Sequence, residues 1–450
     1  MAIYQPHIDC GIDIGSTSLK IVLIDDTGKL LLTRAAPTPR ILDEYGPVTN
    51  PIKLLDAIEK IIISGWREVG CQTPIRSITT AGVGEDGFCI NANFEPMGNA
   101  IPWFDKRGSL EVQHFDQFKH LVQRTGALID PTKTASKWLW LRKHKPEEIN
   151  NHLFWVTLTD FPQIFWSKQP YISISLAPRT GCFDIRDKIW QSELISCAHA
   201  PSLPRIAKAG EIIGFMQSGS FINSGAVSKE TILVAGGHDH PVGATAIRRI
   251  APRCRVDSLG TANVIYSTID QLDDEKLSNE FSYSIPPDGE GISCFGVIDF
   301  SHALNEKIEA EYPKEVITDN QLFNLLKNIE FGKDQSSSEL IRRQQKLIEK
   351  LTFDAKYILK RMTELGVSDK EIFTTGGWSK LSSLIKLRAS IYQQDIFVIN
   401  DLELSAIGAA NFGYFASTGK TISTINSSDI LKVSPISEWV KYYRNIGYII

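Results

Sequence analysis

Residues 11–25 read GIDIGSTSLKIVLID, and this stretch decides the fold because the second half of the chain contains a similar one. It places an acidic residue, a glycine and several hydroxyl residues in a turn between two β-rich segments. Residues 257–267, DSLGTANVIYS, repeat that arrangement. An internal repeat of a strand–turn–strand unit predicts two related lobes that face one ligand.

The segments around these turns predict an α/β protein. The first turn belongs to a run of short β segments separated by Gly, Ser and Asp, which predicts an antiparallel meander. A change of pattern at Gly219–Val227 predicts a boundary between an N-terminal lobe (residues 1–227) and a C-terminal lobe (residues 228–450). The later part alternates strands and helices, predicted at Glu371–Thr375, Ser379–Tyr392, Ile396–Ile399 and Glu403–Ala416.

Composition excludes several classes of protein. The 450 residues are 42% hydrophobic and 22% charged with a formal net charge of -4, which is typical of a globular protein and not of a disordered one. A pI of about 6.2 argues against nucleic acid or an anionic membrane as the main partner. No apolar run reaches the ~18 residues of a membrane span.

Cysteine usage and the first residues predict a cytoplasmic location. The seven cysteines occur singly, without a CxxC pair, and an odd number suits a reducing compartment. The opening MAIYQPHIDCGIDIG contains neither a basic segment nor an apolar signal-peptide region.

Two segments imitate nucleotide-binding motifs. Gly82–Gly87 reads GVGEDG, a literal GxGxxG, but FCINANFEPMGN follows it where a dinucleotide site needs a helix. Gly419-Lys420-Thr421 resembles the end of a P-loop, but the required preceding glycine position is Tyr414. We therefore predict neither a dinucleotide fold nor a P-loop.

The middle of the chain is rich in aromatic residues, including Trp103, Trp138, Trp140, Trp155 and Trp166. Two interpretations stay open: packing within the core, which is the commoner use of such residues, and an aromatic wall for a sugar or nucleobase.

Three glycine and hydroxyl turns predict a phosphate-binding role. Glycine allows the backbone to approach phosphate oxygens, while Ser and Thr hydroxyls and turn N–H groups supply donors. Each turn alone is a weak signal, but three at strand ends in both halves predict a polyphosphate held between two lobes. They are Gly15-Ser16-Thr17-Ser18, Gly260-Thr261-Ala262 and Gly376-Gly377-Trp378-Ser379.

With these turns, six segments in order resemble the FGGY carbohydrate kinases of the actin-like ATPase superfamily. The resemblance covers nearly the whole chain. The segments are GIDIGSTSLKIVLID (11–25), GNAIPWFDKRG (98–108), RTGCFDIRDKIWQSELI (179–195), AGGHDHPVGA (235–244), SLGTAN (258–263), and FTTGGWSK (373–380) together with ELSAIGAANFGYFA (403–416).

The resemblance implies a two-lobed actin-like (ribonuclease H-like) fold, with mixed sheets flanked by helices and a cleft that closes over ATP and a sugar or polyol. It implies that Asp239 is the general base for the sugar hydroxyl. The alternative for Asp239 is a cap on a helix at His240–Arg249. His238 and His240 lie beside it, and as a metal site this His-Asp-His run lacks a third ligand nearby.

The resemblance also implies a nucleotide site and a metal site. Asp13 is expected to orient Mg²⁺ through water. Lys20 is expected to assist a phosphate, although its place in an alternating strand equally permits a solvated face. The remaining expected contacts to phosphates and adenosine are Gly15, Ser16, Thr17, Gly260, Thr261, Ala262, Gly376, Gly377 and Trp378.

One departure from the family that the chain resembles concerns sugar specificity. Glu85-Asp86 stands where xylulose kinases carry Met-His and glycerol kinases Arg-Glu. Two acceptors there predict a neutral sugar or polyol and disfavour an acid sugar such as gluconate. Trp103 and Asp105 are expected to line or support the same pocket, with Arg107 paired to Asp105.

We therefore predict an ATP- and Mg²⁺-dependent kinase for a neutral sugar, such as a pentulose, or a polyol. The alternative is a catalytically impaired nucleotide-binding sensor or scaffold of the same fold. Leu381 and Lys386 keep that alternative open, because the family usually has Asn and Gln there. The predicted partner is a small molecule, with no nucleic acid and no membrane; a homodimer is compatible with the sequence.

Overall fold

The computed structural model describes residues 7–70, 73–260, 262–301, 303–304, 323–324, 326–327, 329, 331–332 and 339–446. The chain packs as two compact units, each assembled from several stretches. Unit 1 contains Met1–Ile250, Tyr283–Ser293 and Glu403–Thr424, and unit 2 contains Ala251–Ser282, Cys294–Leu402 and Ile425–Ile450.

The strands form two large sheets and three two-stranded ones. In chain order they are β1 (Ile8–Ile14), β2 (Ser18–Asp25), β3 (Leu30–Pro37), β4 (Arg40–Leu42), β5 (Pro47–Thr49), β6 (Ser77–Gly82), β7 (Gly87–Ile90), β8 (Phe154–Thr157), β9 (Tyr171–Ser173), β10 (Arg205–Ala207), β11 (Ile212–Phe215), β12 (Ile232–His238), β13 (Cys254–Leu259), β14 (Asn263–Ile269), β15 (Ser282–Ser284), β16 (Ile292–Ile298), β17 (Glu371–Thr375), β18 (Ile396–Ile399) and β19 (Ile430–Val433).

The described α-helices are α1 (Pro51–Val69), α2 (Val122–Thr125), α3 (Thr134–His144), α4 (Phe161–Ser167), α5 (Ser192–Cys197), α6 (Gly219–Asn223), α7 (Asp239–Arg248), α8 (Glu339–Glu364), α9 (Ser382–Tyr392), α10 (Leu404–Thr418) and α11 (Ser437–Asn445). Short 3₁₀ helices lie at Glu111–Leu121, Pro146–Glu148, Ala177–Thr180, Asp274–Lys276, Gly377–Lys380 and Ser427–Asp429. None of these described helices is long and apolar enough to cross a membrane.

The sheet of unit 1 has six strands in the order β11-β12-β6-β1-β2-β3. Strands β1, β2 and β3 form the predicted antiparallel meander. Strand β6 pairs in parallel with β1, and β12 pairs in parallel with β6. Because β12 lies inside this sheet, the division into units differs from the predicted lobe boundary after residue 227.

The second large sheet repeats that topology. Its seven strands follow the order β15-β16-β14-β13-β17-β18-β19. The hairpin of β13 and β14 corresponds to β1 and β2, and β17 is parallel to β13 as β6 is to β1. Strand β18 is parallel to β17, and β19 closes the sheet as an antiparallel edge strand, as β12 and β11 do in unit 1. The internal repeat predicted from the two turns is thus present in the strand order.

The aromatic residues of the middle segment mostly form core. Trp138, Trp155 and Trp166 are fully buried, and the rings of Trp138 and Trp155 meet edge to face with centroids 5.6 Å apart. Trp103 differs, since 41% of its surface is exposed. The core interpretation therefore holds for the first three, and Trp103 is free to face a ligand.

Helix α10 lies unusually close to the central strand β1. A Cβ atom added to Gly11 would lie 1.9 Å from the carbonyl oxygen of Ala406 and 2.6 Å from the backbone nitrogen of Ala410. Only a hydrogen side chain allows that approach. Residues near the C-terminus therefore belong to unit 1 because helix α10 covers its sheet.

Replacing Gly11 with Ala should destabilise unit 1. The added methyl group forces α10 away from β1, and overpacking of this kind costs about 1–3 kcal/mol. Urea unfolding followed by circular dichroism measures the loss. Gly219→Ala is the matched control, because a Cβ there meets nothing within 4 Å. Equal stability of both variants would contradict the close packing of α10 on β1.

Candidate active site

The candidate site lies where three parallel strands of unit 1 end together. In the register of β1, β6 and β12, Ile14 is paired with Gly82, and Gly82 is paired with His238. Residues just before and after these positions therefore share one edge of the sheet. The carboxyl edge of parallel strands is where α/β proteins bind ligands.

Asp239, the predicted base, is the first residue of α7. Its Oδ1 accepts a hydrogen bond from the backbone N–H of His240 at 2.7 Å and lies 3.3 Å from Nε2 of His238. The N-cap position of α7 is occupied by His238, one residue before the predicted cap, and its side chain makes no capping hydrogen bond. The Asp239 carboxylate is 24% exposed, so it is oriented by its neighbours and still reachable.

The backbone before Asp239 is held by a glycine and a serine. Gly237 has a φ of +147°, and a Cβ on it would lie 2.1 Å from Oγ of Ser175. That same Oγ accepts a hydrogen bond from the backbone N–H of His238 at 3.0 Å. Burial lowers the pKa of His238 to about 4, so its ring is neutral at neutral pH. The His238 and His240 ring centroids lie 6.3 Å apart.

Asp13 lies near the end of β1 and close to Asp239. Burial raises the pKa of Asp13 to about 8, and the negative charge of Asp239 adds to the shift. Its Oδ1 is buried without a hydrogen-bond partner within the described part of the chain. An unpartnered carboxylate oxygen beside a second carboxylate fits a bound cation, so the residues present suit Mg²⁺.

The matching acid of the repeat, Asp257, is a structural residue. It is fully buried, its Oδ1 accepts a hydrogen bond from Asn263 at 2.5 Å, and its Oδ2 accepts one from Arg388. Arg388 also donates to the side-chain oxygen of Asn263 at 2.7 Å. The two turns of the repeat therefore carry acids in different environments: Arg388 binds Asp257, whereas Oδ1 of Asp13 has no hydrogen-bond partner among the described residues.

Lys20 is neither a free cation nor a simply solvated residue. Its Nζ lies 2.6 Å from Oε2 of Glu403, just before α10, and both side chains are about one-third exposed. The ion pair shares the charge of Lys20 between Glu403 and the nearby Asp13, whose carboxylate also raises the pKa of Lys20.

Side chains from other parts of unit 1 form hydrogen bonds with the turn at Gly15–Ser18. The carbonyl oxygen of Gly15 accepts a hydrogen bond from the hydroxyl of Thr38 at 2.7 Å, and that of Ser16 accepts one from Nε of Arg40 at 2.9 Å. The indole N–H of Trp103 donates to the Ser16 hydroxyl at 2.9 Å. Thr17 is exposed at the tip. The first phosphate turn thus has a defined shape and touches the predicted sugar pocket through Trp103.

Glu85 and Asp86 are both buried, and positively charged side chains lie near both carboxylates. Oε1 of Glu85 forms ion pairs with Arg179 and, at 3.4 Å, with Lys133. Despite burial, these cations lower the pKa of Glu85 to about 2. Oδ1 of Asp86 accepts the backbone N–H of Trp103 at 2.7 Å. The argument from two unmatched acceptors to a neutral sugar therefore loses its electrostatic basis.

Four cations around this pair were missed in the sequence: Arg40, Lys133, Lys137 and Arg179. Lys133 and Lys137 are one helical turn apart in a Trp-rich segment, which is a signal for buried charge. Arg179 begins the family-like segment RTGCFDIRDKIWQSELI and could have been recognised there. Arg40 has no comparable signal, because only the tertiary fold brings it to the Gly15–Ser18 turn.

Asp105, expected to line or support the sugar pocket, forms an ion pair with Arg107. Arg107 donates to its Oδ1 from Nε at 2.9 Å and to its Oδ2 from Nη2 at 2.8 Å, which confirms the predicted pair. Arg107 also reaches Asp43 at 3.1 Å. The Asp105 carboxylate is therefore paired with Arg107.

In unit 2, Ser301 joins two of the predicted nucleotide turns. Its hydroxyl donates to the carbonyl oxygen of Gly260 at 3.2 Å and accepts from the indole N–H of Trp378 at 2.8 Å. The Trp378 ring is buried and packs against Phe300. Its side chain thus anchors the turn in the core, and the backbone of the turn is left as the predicted nucleotide contact.

The other predicted residues of unit 2 are placed as follows. The turn of the second repeat closes by a hydrogen bond from the Gly260 N–H to the carbonyl oxygen of Ala262 at 3.1 Å. Thr261 lies outside the described residues. Gly376 has a φ of +97°, a left-handed conformation, and Gly377 begins the 3₁₀ helix after it.

The two residues that depart from the family pattern lie around α9. Leu381 is buried at the N-cap position of α9 and makes no side-chain capping hydrogen bond. Lys386 is exposed.

Comparison with known proteins agrees with this architecture. A family model described as "FGGY family of carbohydrate kinases, N-terminal domain" matches residues 8–246. The xylulose kinase of Lactococcus lactis is 25% identical over 288 residues, which cover 61% of this chain and 56% of that protein. The gluconokinase of Bacillus subtilis is 22% identical, with 97% of this chain and 93% of that protein covered.

Among solved structures, a xylulose kinase from Rhodospirillum rubrum superposes with a TM-score of 0.85 at 15% identity, covering 98% of this chain and 96% of that one. The fold is thus the two-lobed actin-like fold, with mixed sheets flanked by helices. The family match spans more than half of the chain. The chain therefore belongs to the FGGY family of carbohydrate kinases, and it is a sugar kinase.

Proposed function

We propose that this protein transfers the γ-phosphate of ATP to a hydroxyl group of a sugar, with Asp239 as the general base. The observation that carries the proposal is the Asp239 carboxylate itself. It is partly exposed at the junction of β12 and α7, oriented by His238 and His240, and close to the unpartnered carboxylate of Asp13.

In the proposed reaction, Asp239 takes the proton of the acceptor hydroxyl. The hydroxyl oxygen forms a bond to the γ-phosphorus, the bond from that phosphorus to the β–γ bridging oxygen breaks, and ADP leaves. General base action of this kind contributes about 10²–10⁴-fold to the rate. Most of the remaining acceleration comes from positioning and from stabilising charge on the phosphoryl group.

Asp13 is the proposed residue for Mg²⁺, held through water. The ion supplies positive charge to the phosphates when it is bound. Its unpartnered buried oxygen and its closeness to Asp239 support this role. Lys20 adds a positive charge beside Asp13, and its ion pair with Glu403 offsets part of that charge.

The nucleotide contacts are proposed to be backbone N–H groups and hydroxyls of the glycine turns. In unit 1 these are Gly15, Ser16 and Thr17, with Thr17 exposed at the tip. In unit 2 they are Gly260, Thr261 and Ala262 for phosphate, and Gly376, Gly377 and the Trp378 backbone for adenosine. Backbone donors in such turns form anion-binding concavities without a basic side chain.

On the acceptor side, Asp86 and Trp103 are proposed to bind hydroxyl groups and the sugar face. Oδ2 of Asp86 is buried and has no hydrogen-bond partner in the described structure, so it is free to accept from a sugar hydroxyl. Trp103 is exposed and tied at its indole N–H to Ser16. Glu85 then orders the cations around it.

A nucleotide-binding sensor or scaffold of the same fold is the second candidate, because Leu381 and Lys386 replace the usual Asn and Gln. It predicts nucleotide binding without turnover for any sugar. The presence of Asp239 and the unpartnered buried oxygen of Asp13 favour the kinase.

Replacing Asp239 with Asn should lower turnover at least about 100-fold, because the amide cannot take the hydroxyl proton. Nucleotide binding, measured by calorimetry, should stay the same, since Asp239 contacts no proposed nucleotide group. A coupled ADP assay measures turnover. Asp56→Asn on the exposed face of α1 is the matched control. Unchanged turnover in Asp239→Asn would remove Asp239 as the base.

Replacing Asp13 with Asn should weaken Mg²⁺ without abolishing nucleotide binding. The neutral amide is a poorer ligand for a hydrated divalent ion, and we expect metal affinity to fall roughly 10–100-fold. Mn²⁺ titration followed by electron paramagnetic resonance, in the presence of ATP, reads this out independently of turnover. Metal affinity equal to that of the Asp56→Asn control would contradict the assignment.

Replacing Asp86 with Asn should raise the KM for the sugar at least about tenfold while the KM for ATP changes less than about twofold. The reason is that the amide keeps one oxygen for the backbone N–H of Trp103 and replaces the unpartnered acceptor Oδ2 with a donor. Steady-state kinetics with each substrate varied in turn measures both constants. Asp116→Asn, an exposed residue paired with Lys119, is the control. Equal effects on both constants would place Asp86 outside the sugar pocket.

A further inference from the structure

The buried pair Glu85 and Asp86 is outnumbered by the cations around it. Arg40, Lys133, Lys137 and Arg179, together called the basic cluster here, all act electrostatically on one or both of these carboxylates. Lys137 is fully buried, and the side chain of Lys133 is 7% exposed. Four cations against two carboxylates leave an excess positive charge in a site from which water is largely excluded.

The hydrogen bonds of the basic cluster do not remove this excess. Arg179 and Lys133 share a single oxygen, Oε1 of Glu85. Lys137 donates to the carbonyl oxygen of Pro102 at 2.7 Å, which is a neutral acceptor. Burial lowers the pKa of Lys137 to about 8, which is the cost of holding that charge without an ion-paired partner.

The positive charge of Arg40 is likewise not neutralised by its hydrogen bonds. Its Nε donates to the carbonyl oxygen of Ser16 at 2.9 Å and its Nη1 to the hydroxyl of Thr49 at 3.4 Å, so both acceptors are neutral. Burial lowers the pKa of Arg40, and Asp86 is the carboxylate that opposes this effect.

Two guanidinium donors in the basic cluster are unused. Nη2 of Arg40 and Nε of Arg179 are buried and have no hydrogen-bond partner among the residues that the structure describes. Buried polar groups are nearly always satisfied in native proteins, so such atoms indicate a missing ligand. Guanidinium N–H groups pair best with carboxylate or phosphate oxygens.

Neighbouring acids are committed elsewhere. Asp105 is held by two hydrogen bonds from Arg107. Asp130 acts on Lys133 at longer range, and its carboxylate accepts the backbone N–H of Thr132 at 2.7 Å, so it offsets at most one of the two excess charges. At least one positive charge of the basic cluster is therefore left for a bound molecule.

The basic cluster adjoins the proposed base. A Cβ added to Gly84 would lie 2.8 Å from Cγ of Arg179 and 3.3 Å from Cδ2 of His238. His238 in turn lies 3.3 Å from the Asp239 carboxylate. One small ligand can therefore place a hydroxyl at Asp239 and another end at Arg179.

We propose that the acceptor is an anionic sugar, a sugar acid whose carboxylate is bound by the basic cluster. This inference rests on the proposed kinase function and replaces the neutral sugar or polyol expected from the sequence. The phosphate of a sugar phosphate supplies the same charge and the same oxygens, so the test includes it as a separate arm.

The first experiment compares substrates that share one carbon skeleton. An aldonate and its alditol differ only by carboxylate against hydroxymethyl at C1; the matching ketose and the 6-phosphate of the matching aldose complete each set. We expect kcat/KM for the aldonate to exceed that for the alditol at least about 100-fold, because the alditol leaves buried cations uncompensated. ADP release measures all four.

Each outcome decides a different point. Preference for an alditol or ketose overturns the anionic acceptor and leaves the kinase function standing. Preference for the sugar phosphate supports the anion site and overturns the carboxylate. If no compound is phosphorylated, the kinase function fails, and aldonate binding by calorimetry then tests the anion site alone, with no binding as the result that overturns it.

The second experiment assigns the preference to the basic cluster. Arg40→Gln and Arg179→Gln should each lower the ratio of aldonate to alditol kcat/KM at least about tenfold. In Arg179→Gln the KM for ATP should also stay within about twofold. Arg40 holds the Gly15–Ser18 turn through the Ser16 carbonyl, so for Arg40→Gln the ratio alone is the readout, because the aldonate and the alditol share one ATP site. Lys145→Gln is the matched control, because Lys145 is a partly buried cation of unit 1 that pairs with Asp43 and Glu148.

Thermal unfolding checks that the variants fold. If Arg179→Gln is unfolded, Lys133→Gln replaces it, since both residues pair with the same oxygen of Glu85. An unchanged ratio in folded Arg40→Gln together with folded Arg179→Gln or Lys133→Gln would overturn the assignment of the carboxylate to this cluster.

Discussion

The parallel pairing of β1, β6 and β12 is the constraint on which the rest of unit 1 depends. Its register places Ile14, Gly82 and His238 side by side, so the residues that follow each strand meet at one edge. Asp13, the Glu85-Asp86 pair and Asp239 come from distant parts of the sequence. They lie near one another because these strands share hydrogen bonds, and α10 packs closely against β1 at Gly11.

Burial then decides the chemistry of that edge. Burial and the charge of Asp239 raise the pKa of Asp13, and the proposed Mg²⁺ would offset the cost of ionising it there. Arg179 and Lys133 lower the pKa of Glu85 despite its burial, while burial lowers the pKa of Lys137 although Asp86 and Glu85 oppose the effect. Carboxylates at this edge therefore differ in their surroundings, which supports three different proposed roles: a base at Asp239, a metal contact at Asp13 and an ion-pair partner for cations at Glu85.

Several features were predictable from local sequence. The turn chemistry of GSTS between β segments predicted the hairpin of β1 and β2, and its repeat in the second half predicted the hairpin of β13 and β14. The six ordered segments predicted the family. The lobe boundary was less accessible, because the link at Gly219–Val227 looks like a domain junction although β12 returns to the first sheet. Pairing between strands far apart in sequence leaves no local signal.

The sequence by itself determined the repeated strand–turn–strand unit, the family and the position of the proposed base, because these depend on local patterns of glycine, hydroxyl and acidic residues. The tertiary structure decided what each charge faces. Asp13 and Asp257 occupy matching turns, yet only Asp257 is closed by a buried arginine. Glu85 reads as an acceptor in the sequence and is an ion-pair partner in the fold. The electrostatic role of a side chain depends on its burial and on its distances to other charges, and both are defined only in the folded chain.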